Sequence, residues 1–216
     1  MNKSIKHHLT DDLLMAYSAG SLPEAFDLIV ATHLSLCVHC RARVESFDAV
    51  GGHVLEEQTD STAMSDVSLA ATMALIAQGA SAPEPARPKC SVLPTPLQDY
   101  VGGTVSDIRW KPIGMGVKQA ILPTTKDATA RLLFIPAGAA VPDHGHHGIE
   151  LTMVLQGAFS DEVDCFARGD VEIADEDLEH TPVADISADC ICLAVTDAPL
   201  KFTKLMPRLF QPFLRI

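Results

Sequence analysis

Basic side chains are in short supply in this chain: 16 Lys and Arg stand against 28 Asp and Glu over 216 residues, a formal net charge of -12. That balance excludes a broad cationic face for direct binding to nucleic acid or an anionic membrane, because both need clustered positive charge. A partner with basic surfaces fits better. The imbalance is steeper at the start, where residues 1–85 hold 11 acidic and 4 basic side chains, net -7, leaving 17 and 12, net -5, for the rest. No apolar run approaches the ~20 residues of a membrane-spanning helix. Nothing at the start has the charged segment, apolar core and small-residue cleavage site of a secretory signal, so a cytoplasmic protein is expected. Internal repeats are absent too. Cysteines number six, and four of them fall as C-x2-C (Cys37, Cys40) and C-x-C (Cys190, Cys192). In a reducing compartment such spacing indicates ligands or free thiols rather than a disulfide framework.

What is present divides into two halves. Leu13, Leu14 and Tyr17 recur at helical spacing between a Thr10 cap and Gly20. Ser21 and Glu24 then read as an S-x-x-E capping box with Pro23 in the first turn, and Phe26, Ile29, Val30, His33 and Cys37 follow along one side. A third helix is expected over Arg41–Val50, ended by Gly51 and Gly52, and a fourth over Asp66–Ala77 with Leu69, Met73 and Ile76 as its stripe. Residues 1–80 therefore form an all-α domain. Between 81 and 96 lies a linker in which Pro83, Pro85 and Pro88 refuse helix and central strand alike. From 97 to 216 short apolar or alternating runs ("VSDIRWKPI", "GVKQAILP", "ARLLFIPAG", "IELTMVLQGAF", "CICLAV", "LKFTKL") are broken by Gly, Pro and Asp at intervals suited to an antiparallel barrel. The closing "LMPRLFQPFLRI" is expected to cap one end of that barrel. The fold class is thus α+β in two domains, helical bundle first and all-β barrel second.

Two clusters of ligand-type residues stand out. In "THLSLCVHC" His33 and Cys37 are i, i+4 neighbours and Cys40 is one turn further, so three side chains can converge on one tetrahedral ion. The fourth ligand must come from elsewhere, and His7 or His8 in "KHHLTDD" is placed to deliver it. The second cluster lies in "GAAVPDHGHHGIELTMVLQG". His144 and His146 are two apart on a strand and point the same way, Glu150 returns from a neighbouring strand, and His180 follows in "GDVEIADEDLEHTP". Three histidines and one carboxylate suit zinc, iron, manganese or nickel. His39 and His147 are read as facing outward. Cys190 and Cys192 share one face of a strand, as inert buried residues or as a redox-tuned thiol pair.

The early HH pair followed by "VATHLSLCVHCRARVESFDAVGG" resembles the zinc-binding anti-sigma domain of ChrR-type anti-sigma factors. The spacing of Gly138, His144, His146, Glu150 and Gly157, then Gly169 and His180, resembles the two motifs of the cupin superfamily. Asp175 and Asp177 replace the usual Pro and Gly of the second motif and imply a looser turn before His180. The first resemblance implies structural zinc on His8, His33, Cys37 and Cys40, with His8 preferred to His7. The second implies Zn2+ or another divalent transition metal on His144, His146, Glu150 and His180. Together they imply a non-enzymatic protein that holds an extracytoplasmic-function sigma factor in a 1:1 complex and releases it on oxidative stress, singlet oxygen in particular. The alternative is a metal-dependent cupin dioxygenase or isomerase with an appended helical regulatory domain.

Overall fold

A computed structural model describes residues 4–57, 65–79 and 90–201. The expected cap at 205–216, most of "LKFTKL" and the proline-rich stretch 80–89 lie outside the described residues.

The helices are α1 (Asp11–Ser18), α2 (Glu24–Leu36), α3 (Val38–Glu57), α4 (Asp66–Ala77) and α5 (Thr95–Val101). Helix α1 starts as its sequence predicts, with Thr10 Oγ1 accepting from Leu13 N. Helix α2 starts without the predicted capping box. Its Glu24 carboxylate instead accepts from the Tyr100 hydroxyl at 2.9 Å and from Thr125 N at 2.7 Å, binding the helix to α5 and to the barrel. The local alternative is already taken, since Ser21 N and Ser21 Oγ both donate to the Ala16 carbonyl, at 3.0 and 3.1 Å. Helix α3 runs straight through Gly51 and Gly52, neither of which takes the left-handed conformation that ends a helix.

The barrel strands are β1 (Lys111–Gly114), β2 (Val117–Ile121), β3 (Thr129–Ile135), β4 (His144–His146), β5 (Glu150–Gln156), β6 (Ala158–Ser160), β7 (Cys165–Ala167), β8 (Val171–Ala174), β9 (Glu179–His180), β10 (Val183–Ala184), β11 (Cys190–Thr196) and β12 (Leu200–Lys201). They form a six-stranded sheet in the order β1-β2-β3-β11-β5-β8 and two three-stranded sheets, β10-β6-β7 and β12-β4-β9, all antiparallel. The predicted strand "VSDIRWKPI" is divided: Val105–Asp107 is a 3-10 turn closed by a Thr104–Asp107 capping box, and only its end joins β1.

Helical and barrel halves share one hydrophobic core. Ala25, Leu28, Ile29 and Val30 of α2 are buried together with Leu132, Leu151, Met153 and Leu193 of the large sheet. All seven residues of β11 are buried, since α2 covers one face and the barrel interior the other. That double cover is why its sequence is a continuous apolar run and not an alternating one. Leu93 and Leu97 are fully buried at the start of α5, and Arg168 reaches back to the carbonyls of Val92 and Leu155.

Candidate metal centres

Helix α2 ends at Leu36 and α3 starts at Val38, a sharp corner that puts His33, Cys37 and Cys40 around one point. All three are buried. The chain before α1 runs past this corner and delivers His8, so that the ligand atoms of His8, His33, Cys37 and Cys40 lie within 4.8 Å of one another. His33 Nε2 is 3.3 Å from Cys40 Sγ, and His8 Nδ1 is 3.3 Å from Cys37 Sγ and 3.6 Å from Cys40 Sγ. A tetrahedral ion with ordinary Zn–N and Zn–S bonds requires N···S edges of about 3.5 Å. The donor set fits such an ion. Burial pushes the Cys40 thiol up to about 11, so an ion that claims this sulfur must displace its proton. His39 is exposed and rests on the His8 ring at 4.8 Å.

His7, the other histidine of the early pair, points away. Its Nε2 meets Asp164 Oδ2 at 3.1 Å and its ring lies on Phe166, 4.4 Å between centroids. Around it the chain is strapped to the barrel: Lys6 N and His7 N donate to Asp170 Oδ1 at 2.6 and 3.0 Å, and Val171 N donates to His7 O at 3.2 Å. The barrel also holds His33, whose Nδ1 donates to the Gly169 carbonyl at 2.9 Å and thereby turns the Nε2 lone pair toward the thiols. Gly169 has φ +92, and a Cβ there would lie 2.7 Å from Ile5. Both the backbone angle and the close strap explain a glycine at this position.

In the barrel, β4 and β9 pair with His144 opposite His180. The nitrogens of His144, His146 and His180 lie within 4.8 Å of one another, and His146 Nε2 is 3.3 Å from His180 Nε2. About 3.3 Å is the N···N edge of a tetrahedral ion with imidazole ligands. His144 Nδ1 donates to the Pro142 carbonyl at 2.9 Å, which directs its other nitrogen inward. Glu150 stands beside this group, its Oε2 3.9 Å from His146 Nδ1 and its Oε1 accepting from Thr152 Oγ1 at 3.1 Å. His147 is exposed.

Sequence reasoning missed what holds His180. Its Nδ1 donates to Asp161 Oδ2 at 2.9 Å and to Glu172 Oε1 at 3.0 Å. Despite an opposing burial cost, these two carboxylates raise the imidazole to about 9. Burial, with the Asp161 charge added, pushes Glu172 up to about 7. The available signal was a glutamate inside an otherwise apolar strand, since a buried carboxylate there needs a partner. The turn at Asp175 and Asp177 is closed by Asp177 N donating to Asp175 Oδ1 at 3.1 Å, and it delivers His180 without the usual Pro and Gly. Cys190 and Cys192 are fully buried with sulfurs 3.5 Å apart; their mutual hydrogen bond and burial push Cys192 well above the ordinary thiol range.

Acid is expected to destabilise the chain in two stages. Burial depresses His33 from 6.5 to about 4, although the Gly169 carbonyl pulls the other way. Burial opposes ionisation of Asp170, but donation from His7 N, Ala167 N and Lys6 N outweighs it and holds the carboxyl below its ordinary range. In both cases the unfolded chain binds the proton first, so stability rises with pH. For His33 the proton also competes with the proposed zinc for Nε2, so stability is lost as pH falls from 6.5 to 4, and the contribution of Asp170 is lost below pH 4. Melting temperatures recorded from pH 7 to 3 check this; a flat profile from pH 6.5 to 4 contradicts it.

Comparison with known proteins agrees with this geometry. Residues 98–199 match the family described as the ChrR cupin-like domain. The chain is 59% identical over 213 residues to the anti-sigma-E factor ChrR of Cereibacter sphaeroides, covering 99% of this chain and 100% of that one. The crystal structure of Rhodobacter sphaeroides SigE in complex with the anti-sigma ChrR aligns at a TM-score of 0.78 with 58% identity, over 90% of this chain and 100% of that one. KdgF from Halomonas sp. aligns over 43% of this chain and 89% of its own at 22% identity and a TM-score of 0.39. With identity of this degree running the length of both chains, the protein belongs to the ChrR family.

Proposed function

We propose that this chain is a cytoplasmic anti-sigma factor that holds an extracytoplasmic-function sigma factor in a 1:1 complex and releases it on oxidative stress, with singlet oxygen as the signal. The observation that carries the reading is full-length identity to a protein named anti-sigma-E factor and to a structure of SigE in complex with the anti-sigma ChrR. Among the described residues no single helix is long and apolar enough to cross a membrane.

Residues 1–80 are the holding module, 81–96 the connection and 97–216 the receiver. Helix α4 has no buried residue, yet it presents Val67, Leu69, Met73, Leu75 and Ile76 to solvent. The outer half of α3 adds Val50, Val54 and Leu55. Apolar surface of this extent left open in a single chain supports a partner interface. The net -7 of residues 1–85 suits a partner with basic DNA-binding surfaces.

Zinc on His8, His33, Cys37 and Cys40 is structural in this reading: four protein ligands leave no open position, and the ion contributes folding energy. The strap, the α2–α3 corner and Gly169 then act as one unit. In the receiver, His144, His146, Glu150 and His180 hold Zn2+ or another divalent transition metal, with Asp161 and Glu172 orienting His180. Thiolate ligands are oxidisable, and the Gly169–Asp170 turn gives a disturbance of the barrel a direct route to the first centre.

Coexpression with the sigma factor encoded in the same genome tests the assignment. A stable 1:1 complex is expected, with the sigma factor freed on illumination in the presence of a singlet-oxygen sensitiser. Separate elution of the two proteins before any stress would overturn it.

A further inference from the structure

The barrel encloses a cavity of about 650 Å3, within the range of small-molecule sites. At its mouth are Ile113 and Met115 of the β1–β2 hairpin, the latter 73% exposed. Its walls include Val117, Leu133 and Phe159. Deep among them is a cation, Arg131 on β3, 5% exposed and lining the cavity.

Among the described residues the Arg131 guanidinium makes a single hydrogen bond, from Nη1 to Gln119 Oε1 at 3.3 Å, and no ion pair within 4.0 Å. Glu150 is the carboxylate that acts on it through space, and the same carboxylate acts on His144 and His146. A guanidinium taken out of water needs an anion in its planar fork to offset the lost hydration, and one distant, shared carboxylate does not supply it. The apolar walls offer nothing to a hydrated ligand body. Glu150 also lines the cavity and is one of the proposed metal ligands, so its charge is committed to that ion and the fork of Arg131 is left for a ligand carboxylate.

We propose that this cavity binds a monocarboxylate with an apolar tail, its carboxylate forked on Arg131 beside the histidine cluster and its tail running toward the Ile113–Met115 mouth. Charge and shape both select this class. One negative charge balances one guanidinium, and an aliphatic tail replaces water along walls that cannot hydrogen-bond it. Acetate lacks the tail and octanol lacks the charge.

Isothermal titration of the full chain, purified with its metals, against octanoate, octanol and acetate tests the assignment. Octanoate is expected to bind at least tenfold more tightly than either of the others, and Arg131→Met is expected to erase its advantage over octanol. Equal affinity of octanoate and octanol for the wild-type chain overturns the proposal whether or not the variant folds. So does octanoate preference that survives in Arg131→Met. The measurement uses no sigma factor, so its failure leaves the anti-sigma reading untouched, and failure to capture a sigma factor leaves this site as it is.

Discussion

Cys40→Ser is expected to remove one equivalent of zinc per chain and to unfold the corner between α2 and α3. Cys40 is 1% exposed, and its sulfur lies 3.3 Å from His33 Nε2 and 3.6 Å from His8 Nδ1. A structural zinc site of this type contributes about 10–16 kcal/mol in small domains, and a hydroxyl in place of a thiolate forfeits most of it. Helices α1 and α3 bury few side chains of their own: Leu14 in α1, and Cys40 and Val44 in α3. Without the ion they have too little apolar burial to offset their conformational entropy. Metal content, far-ultraviolet circular dichroism and sigma-factor capture should therefore fall together. His39→Ala, one residue away but exposed and outside the cluster, should change none of them. A Cys40→Ser chain that retains its zinc and its helicity would refute the structural role assigned to the site.

Asp170→Ala should cost about 3 kcal/mol and accelerate loss of zinc from the first centre, although Asp170 touches none of the four proposed ligands. Its carboxylate accepts from Lys6 N and His7 N through Oδ1 and from Ala167 N through Oδ2 at 2.9 Å. Alanine leaves three backbone donors without that partner at a position only 3% exposed. The strap that carries His8 is then held by the Val171 N to His7 O bond and the contact of Ile5 with Gly169. Urea unfolding reads the stability change, and the rate of zinc transfer to a chromogenic chelator reads the strap. Asp164→Ala, which removes exposed contacts to His7 Nε2 and Cys165 N, is the matched control with a smaller expected effect. A normal transfer rate in Asp170→Ala would show that the strap does not govern the first centre.

The consequence for function is that the two centres are joined by a few consecutive residues. Gly169 holds His33, Asp170 holds the strap beside His8, and Glu172 holds His180. A change at the proposed barrel site that shifts β8 is expected to displace the supports of the proposed helical site with it, since residues 169–172 hold both.

Much of this was legible in short stretches of sequence. The Thr10 cap, the bounds of α4, the runs that became β2, β3, β5 and β11, and the spacings of His33, Cys37 and Cys40 and of His144 and His146 depend on residues within a turn or a strand of one another. Local periodicity determines these because side-chain direction repeats every 3.6 residues in a helix and every two in a strand. The choice of His8 for the first cluster came from family resemblance, and only the strap shows why His7 turns to Asp164. Tertiary structure alone decided the rest: Glu24 leaving its predicted cap for Tyr100 and Thr125, α3 continuing through two glycines, α5 packing on α2, and Gly169 turning His33 across 136 positions of chain. The same holds for Asp161 and Glu172 gripping His180 and for Arg131 facing a cavity. Apart from the course of α3 and the packing of α5, each of these is a polar group whose partner is chosen by which surfaces meet once the core has closed, and no pattern of neighbouring residues records that choice.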